Sequence, residues 1–510
     1  MADTAVVGVA TFASRVLGFA RNAVVSALFG QGWRADVLNA VFNIPMNLRK
    51  LVAEGALSTA FIPVLSKSLE DDPSGTRARQ LVRALFSLQI VVLVPLTVLA
   101  MVFAPAIIAV LAPFGGVAEK QALSVDLFRW FIGFLFLISW SAVMMGVENT
   151  HQKFLVPAVS PILFSVAVIV SLVALAPIMG VYAQVPGVLI GGLLPILMQW
   201  FPLRKLGYSM APLARFWIPE MKETLKKWGP ALMVSGISLL NQQISMTLAT
   251  TLPEGSPSAL SNAIVFWQLP AGVLSASVVT VFFPRMSRQV ARKDWSAASA
   301  TMVQGLELLA LLLLPAGLLM ALFAEPIIGI AYQRGLFTYE NTVLAAKVLS
   351  WLSWGLFFSG IFNFLQRFFY AQGDFKTPFW VSVVWAVTDV AVSVTLMLTP
   401  LGVQGLAIGS VAGFGVGALA LLLLAWRRLP WRRLGALVWF WTRIGAALVP
   451  VAWVFEIVLG WTGPWWTGGM SWATLGWLAL EGTGATILSG LGLVAVGIRP
   501  WKLWKTEGAV

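Results

Sequence analysis

The sequence predicts an all-α polytopic membrane protein of about fourteen transmembrane helices. Three observations carry that prediction. Of 510 residues, 59% are hydrophobic and 11% charged, against roughly 25% charged in an average soluble domain. So much apolar surface cannot be hidden by a water-soluble fold. Apolar runs of the roughly 20 residues needed to cross a bilayer recur from end to end. Lysine and arginine gather in alternate connections, as the positive-inside rule requires.

Taken in order, the first two runs, near residues 5–30 and 35–66, are the least apolar. Four follow near 80–112, 121–148, 154–177 and 181–203. A polar, basic break at 204–227 separates them from six more, near 229–252, 258–284, 298–324, 340–371, 377–400 and 403–426. The last two lie near 435–460 and 470–497. With the N-terminus inside, the cytoplasmic connections and tail hold 23 of the 34 Lys and Arg, while the opposite side holds five: Arg34, Lys120, Arg129, Arg334 and Lys347. Both termini are therefore expected in the cytoplasm. The net charge of +13 is read as topology anchoring and not as a nucleic-acid surface. The N-terminus runs straight into a helix carrying Arg15 and Arg21, so no cleaved signal peptide is expected.

The chain also repeats itself. Phe61-Ile62-Pro63 recurs 221 positions later as Phe282-Phe283-Pro284, and Phe154 and Pro157 recur at the same offset as Phe375 and Pro378. Gly187 and Gly191 recur as Gly405 and Gly409 at an offset of 218. The unit is six helices. An even number preserves orientation, so the halves are parallel repeats of the kind that rock around a shared central site. This divides the chain into a six-helix lobe at 1–210, a second at 211–430, and two additional helices with a cytoplasmic tail at 431–510.

Cysteine is absent and His151 is the one histidine. That excludes disulfides, thiolate nucleophiles and His- or Cys-ligated metal sites, and no catalytic or metal-binding set is expected. What stands out is charge inside the predicted helices: Arg15, Arg21, Arg49, Lys50, Arg367 and Arg443. Arg443 can snorkel to the headgroups. The central ones each cost about 2.5–3.5 kcal/mol against lipid, so they must face a wet cavity or one another. Asp36 and Glu54 are the carboxylates of the same hairpin, too few to neutralise Arg15, Arg21, Arg49 and Lys50. A surplus of positive charge at membrane depth suits an anion, and the guanidinium fork suits phosphate. In the second half, Asp389 is the candidate coupling-ion residue, with Thr388 and Ser393 beside it. Gly18, Pro45 and Gly55 either loosen these helices beside a cavity or let helices pack closely.

Ser14-Arg15-Val16-Leu17-Gly18-Phe19-Ala20-Arg21, Asp36, Ile44-Pro45, Leu48-Arg49-Lys50-Leu51, Ala53-Glu54-Gly55-Ala56-Leu57-Ser58 and Phe61-Ile62-Pro63 together resemble the MviN/MurJ family of lipid II flippases. Trp228-Gly229-Pro230, Pro270-Ala271-Gly272-Val273-Leu274 and Phe369-Tyr370-Ala371 agree with it. The resemblance implies a V-shaped, two-lobe transporter in the bacterial cytoplasmic membrane. It implies that the substrate is an anionic polyprenyl-diphosphate lipid carried from the inner to the outer leaflet, with cell-wall synthesis enzymes as further partners. The family's functional positions fall on Arg15, Arg21, Asp36, Arg49 and Glu54, and the last two helices are implied to form a groove for the lipid tail. No cofactor is implied; Na⁺, H⁺ or the membrane potential would supply the drive. The chain departs from the family at Ile264–Gln268, which lacks the Arg many members carry there, leaving Arg367 as the second half's candidate contact. It departs again at Asn22, where an Asp commonly stands, and at Trp385, one turn before Asp389.

The alternatives are a flippase for another polyprenyl-diphosphate oligosaccharide, a membrane enzyme acting on polyprenyl phosphates, and a scaffold for cell-wall enzymes. The longest polar connection, 204–227, offers two acidic residues, Glu220 and Glu223, and no acidic metal motif, which argues against the enzyme.

Overall fold

The computed structural model describes residues 2–52, 56–427, 431–463, 466 and 469–498. Its first half comprises α1 (Ala2–Phe29), α2 (Trp33–Val52), α3 (Ala56–Asp71), α4 (Thr76–Val102), α5 (Ala104–Leu111), α6 (Ala118–Thr150), α7 (Leu155–Met179) and α8 (Gln184–Lys205). The second comprises α9 (Pro219–Ala249), α10 (Ser256–Pro270), α11 (Ala276–Ala291), α12 (Trp295–Leu322), α13 (Ala324–Tyr332), α14 (Tyr339–Ala371), α15 (Lys376–Met397) and α16 (Val403–Trp426). Then come α17 (Trp431–Thr462) and α18 (Trp472–Ala495). No strand occurs among the described residues.

The repeat recurs element by element. α6 and α14 are both 33 residues long and begin at 118 and 339, an offset of 221. α7 and α15 begin at 155 and 376, the same offset. Even the turn between them recurs. The Lys153 N–H reaches back to the Glu148 carbonyl at 2.8 Å, and that of Asp374 to Phe369 at 3.0 Å. The residue before each is left-handed, Gln152 at φ 57° and Gly373 at φ 73°. Such a cap satisfies the last carbonyls of a helix and turns the chain back. Asp374 then accepts from the Thr377 N–H at 3.0 Å and starts α15.

Ten segments among the described residues are long and apolar enough to cross a membrane. One of them, Leu155–Lys205, is the α7–α8 hairpin. Counting that hairpin as two and adding the more polar α1, α2–α3 and α9, the order is consistent with fourteen crossings. The expected run at 80–112 is broken at Phe103 into α4 and α5. α9 begins at Pro219, inside the stretch expected to be a polar break, because Pro at the first helical position is favourable and Glu220 suits the first turn. Between α10 and α11 the helix widens to a π-turn over Ala271–Ser275, just after Pro270.

The chain forms two compact units, Met1–Pro257 and Ser258–Val510. In the first, Val37 and Val41 of α2 pack with Phe128, Phe131 and Phe134 of α6, Val168 of α7 and Val188 of α8. α7 and α8 meet through glycine: a Cβ on Gly187 would lie 2.7 Å from the Val168 Cα. The segment after α8 is strapped across α4 and α6. Arg83 donates to the carbonyls of Ala211 and Pro212 at 3.0 and 3.2 Å, the Leu213 N–H donates to Ser87 Oγ at 2.6 Å, and His151 pairs with Tyr208 at 2.9 Å. In the second unit, α15 and α16 close through Gly405, Gly409 and Gly413. α12, α14 and α17 leave an apolar cavity of about 170 Å³ between them, lined by Leu313, Leu318, Trp354, Phe357, Leu448 and Val449.

Candidate functional site

Arg21 lies eight residues before the end of α1 and is half-buried. Its guanidinium stands 5.8 Å from the Phe42 ring centroid of α2 and 5.6 Å from that of Phe164 of α7. It donates to Asn22 Oδ1, from Nη2 at 3.2 Å and from Nε at 3.4 Å. Aromatic faces hold a cation without cancelling its charge. The two rings are fixed from behind, Phe42 by Phe131 at 5.3 Å and Phe164 by Phe134 at 5.1 Å. Gly191 is what lets α8 press on Phe164, since a Cβ there would lie 2.9 Å from that ring.

Gly18 precedes Arg21 by one turn and follows Arg15 by one turn, so it sits between them on the helix surface. A Cβ built on Gly18 meets nothing within 4 Å. Close helix packing, one of the two readings open from the sequence, is therefore not its role. The Arg15–Gly18–Arg21 face borders open space, and Arg15 is exposed on it.

Arg49 and Lys50 form the last turn of α2, both half-buried. Asp36 is in the first turn of the same helix, 2% exposed. At 1.5 Å per residue, about 20 Å separates Asp36 from Arg49 along the axis, so Asp36 does not neutralise that cation. Instead it accepts the Gly255 N–H at 2.7 Å, while Glu254 accepts the Trp33 N–H at 2.7 Å. These two bonds pin the start of α2 to the turn after α9. Deeper along α2, Asn47 Nδ2 donates to Gln243 Oε1 at 3.2 Å and Lys50 Nζ to Gln242 Oε1 at 3.1 Å. The α9 amides were not singled out from the sequence. Their signal is the run Asn241-Gln242-Gln243 inside an otherwise apolar helix. Glu54 lies outside the described residues.

The other two positions belong to the second unit. Arg367 is exposed one turn before the end of α14, with its guanidinium 5.8 Å from the Tyr370 ring. Asp389 is 1% exposed in α15. It accepts from Ser393 Oγ at 3.1 Å and from Ser410 Oγ of α16 at 3.2 Å. Both hydroxyls aim hydrogens at the carboxylate, and Gly413 brings α16 within 2.9 Å of the Asp389 Cβ by the same Cβ test. Trp385 fills the turn before, 4% exposed against Phe414. The contacts at this carboxylate are those of a hydrogen-bonded helix seam. Among the described residues no group of three or more His, Cys, Asp or Glu could hold a metal ion.

A profile of the family described as Lipid II flippase MurJ matches residues 25–474. The chain belongs to the MurJ family. Asp36, Arg49, Glu54, Arg367 and Asp389 lie within the matched stretch; Arg15 and Arg21 precede it. The probable lipid II flippase MurJ of Borreliella burgdorferi is 33% identical over 392 residues, 77% of each chain. The lipid II flippase MurJ of Burkholderia cenocepacia is 30% identical over 449 residues, 86% of each. Among solved structures, a lipid II flippase MurJ in an inward closed conformation matches with TM-score 0.79 and 23% identity, covering 96% of this chain and 99% of that one. An inward-facing multidrug resistance MATE transporter matches with TM-score 0.68 and 17% identity, over 81% and 94%. These structures share the fold.

Proposed function

We propose that the chain is a flippase carrying lipid II, the polyprenyl-diphosphate-linked peptidoglycan precursor, from the inner to the outer leaflet of the bacterial cytoplasmic membrane. Membership of the MurJ family supplies the substrate class. The observation that carries the chemistry is Arg21, held between Phe42 and Phe164 beside the open face at Gly18. That is a guanidinium held by aromatic rings one turn from an open helix face, and its planar fork suits a diphosphate. Arg49 and Arg15 add to the same field, Asp36 and Glu54 act within the α2 hairpin, and Arg367 is the second lobe's contact.

Two lobes, 1–210 and 211–430, would alternate access to this site, with 431–510 carrying the polyprenyl tail along α17 and α18. A cation-drug exporter would want the opposite sign of cavity, so the likeness to MATE transporters is read as fold alone. An anion moving outward, toward the positive side, gains about 2.3 kcal/mol per charge per 100 mV. The membrane potential therefore suits an anionic substrate as a drive. Asp389 is the second lobe's candidate coupling-ion residue, with Ser393 and Ser410 donating to its carboxylate. Replacement of an essential lipid II flippase tests the reading. The chain should sustain growth and outer-leaflet delivery of lipid II in depleted cells. Failure while inserted and folded would point to another polyprenyl-diphosphate glycan.

A further inference from the structure

The last turn of α6 carries a carboxyl that the site above does not use. Glu148 is 0% exposed, and neither of its carboxyl oxygens has a hydrogen-bond partner among the described residues. Its surroundings are apolar. Met144 and Val147 of the same helix belong to a core with Phe61 and Leu65 of α3, Leu85 of α4 and Leu203 of α8. α3 presses on α6 there, since a Cβ on Gly146 would lie 3.0 Å from the Phe61 ring. The repeat shows that the fold itself does not ask for an acid at this place. At the offset of 221, position 148 corresponds to Phe369. The backbone carbonyls of both accept the N–H that closes the turn after their helix, from Lys153 and from Asp374, and both side chains are buried. One half fills the position with a ring, the other with a carboxyl.

We propose that Glu148 is a proton-binding site of the first lobe, occupied while α3, α4, α6 and α8 close over it and emptied when water reaches it. An ionised carboxylate taken out of water without a partner is far costlier than a neutral acid. The charged groups around it are engaged elsewhere. Lys153, exposed in the turn that follows, acts on it through space and makes no hydrogen bond to it. Lys67, Glu70 and Asp71 of α3, Arg77 of α4, and Arg204 and Lys205 of α8 are exposed. Arg79 donates to the Ser74 carbonyl, Arg83 to those of Ala211 and Pro212, and His151 pairs with Tyr208. In α2, Asp36 accepts from Gly255, Lys50 donates to Gln242, and Arg49 makes no hydrogen bond to Glu148. The basic connections predict that this end of α6 is cytoplasmic. One carboxylate oxygen then takes a proton from cytoplasmic water and forms an O–H, and on opening the proton returns to water. Intramembrane carboxyls commonly serve such relays. Coupling of this proton to transport rests on the flippase reading above; its binding does not.

Difference infrared spectroscopy on the full-length chain in nanodiscs tests the site. Wild type minus Glu148→Gln should show the carbonyl band of one protonated carboxylic acid, shifted in D₂O and lost as the buffer is made alkaline. Carboxylate bands in its place at neutral pH would overturn the proposal. Glu148→Leu should fold with its thermal midpoint unchanged or raised, because no hydrogen bond is lost. A clear fall would show a structural carboxylate and overturn the proposal as well. Coupling is read from the rate of lipid II delivery across cytoplasmic pH. Wild type should change its rate with pH, and Glu148→Gln should lose that dependence. Parallel profiles would overturn the coupling and leave the flippase reading intact. No delivery by wild type at any pH would overturn that reading, while the infrared bands still decide the proton site.

Discussion

Single residues separate what the site needs from what the scaffold needs. Gly18 and Gly191 are both glycines in membrane helices, yet they do opposite things. A Cβ on Gly18 meets nothing, whereas on Gly191 it would meet Phe164 at 2.9 Å. Gly18→Ala should leave the thermal midpoint in detergent unchanged or raise it slightly, since Gly in a helix costs roughly 0.5–1 kcal/mol relative to Ala. Gly191→Ala should lower it, by the roughly 1–3 kcal/mol of an overpacked contact. Gly18→Trp should fold and fail in transport, because it fills the face between Arg15 and Arg21. Arg21→Lys should also fold, since a lysine can sit over Phe42 and Phe164. It should still lose about tenfold or more in lipid II binding, because an ammonium lacks the bidentate fork. The sequence already marked Arg21 and Arg49 by their cost in a membrane. It marks Gln242 only faintly, through the run Asn241-Gln242-Gln243, because an amide in an apolar helix costs far less than an arginine.

At the scale of elements, seams and connections carry the testable physics. The α15–α16 seam is closed by glycines around Asp389, where Ser393 and Ser410 both donate to the carboxylate. Asp389→Asn turns one acceptor into a donor facing hydroxyl groups. It should cost about 1–3 kcal/mol of stability, read as a lower thermal midpoint. A coupling-ion role for Asp389 predicts that the same variant also changes the dependence of transport on Na⁺ or on pH. At the other end of the molecule's chemistry, the strap after α8 is latched by His151 and Tyr208. Burial holds His151 below its ordinary value of 6.5, and Lys153 pushes it the same way. Between that lowered value and 6.5 the unfolded chain binds more protons than the folded one. The contribution of His151 is thus complete above pH 6.5 and is lost as pH falls from 6.5 through the folded value. Acidification across this window should lower the thermal midpoint of wild type more than that of His151→Gln.

For the whole molecule, the repeat was the most legible feature and its packing the least. An offset of 221 read from Phe61 and Phe282 reappears in the lengths and starts of α6 and α14 and in the turns at Gln152 and Gly373. Those features are local, set by caps and hydrophobic period, and a sequence displays them. Where α9 docks is not local. Its apolar pattern is shared with other helices, and the bonds to Asn47 and Lys50 are what show it facing α2. The start of α9 at Pro219 was likewise hidden, because Lys222, Lys226 and Lys227 read as a loop although they lie in the helix. The clamp on α2 belongs to this scale too: Asp36 and Glu254 tie its first turn to the turn after α9, while Arg49 and Lys50 lie about 20 Å further along.

In the proposed flippase, the cations of α1 and α2 carry a lipid-linked diphosphate across the membrane. A sided accessibility assay for lipid II, in cells depleted of their own flippase and supplied with this chain, tests it most directly. Wild type, Arg21→Ala and Arg49→Ala are compared at matched membrane levels. Wild type should restore outer-leaflet lipid II, and both variants should leave it at the depleted level. Variants that deliver lipid II as well as wild type would contradict it, reducing the arginines to structural partners of the helices around them.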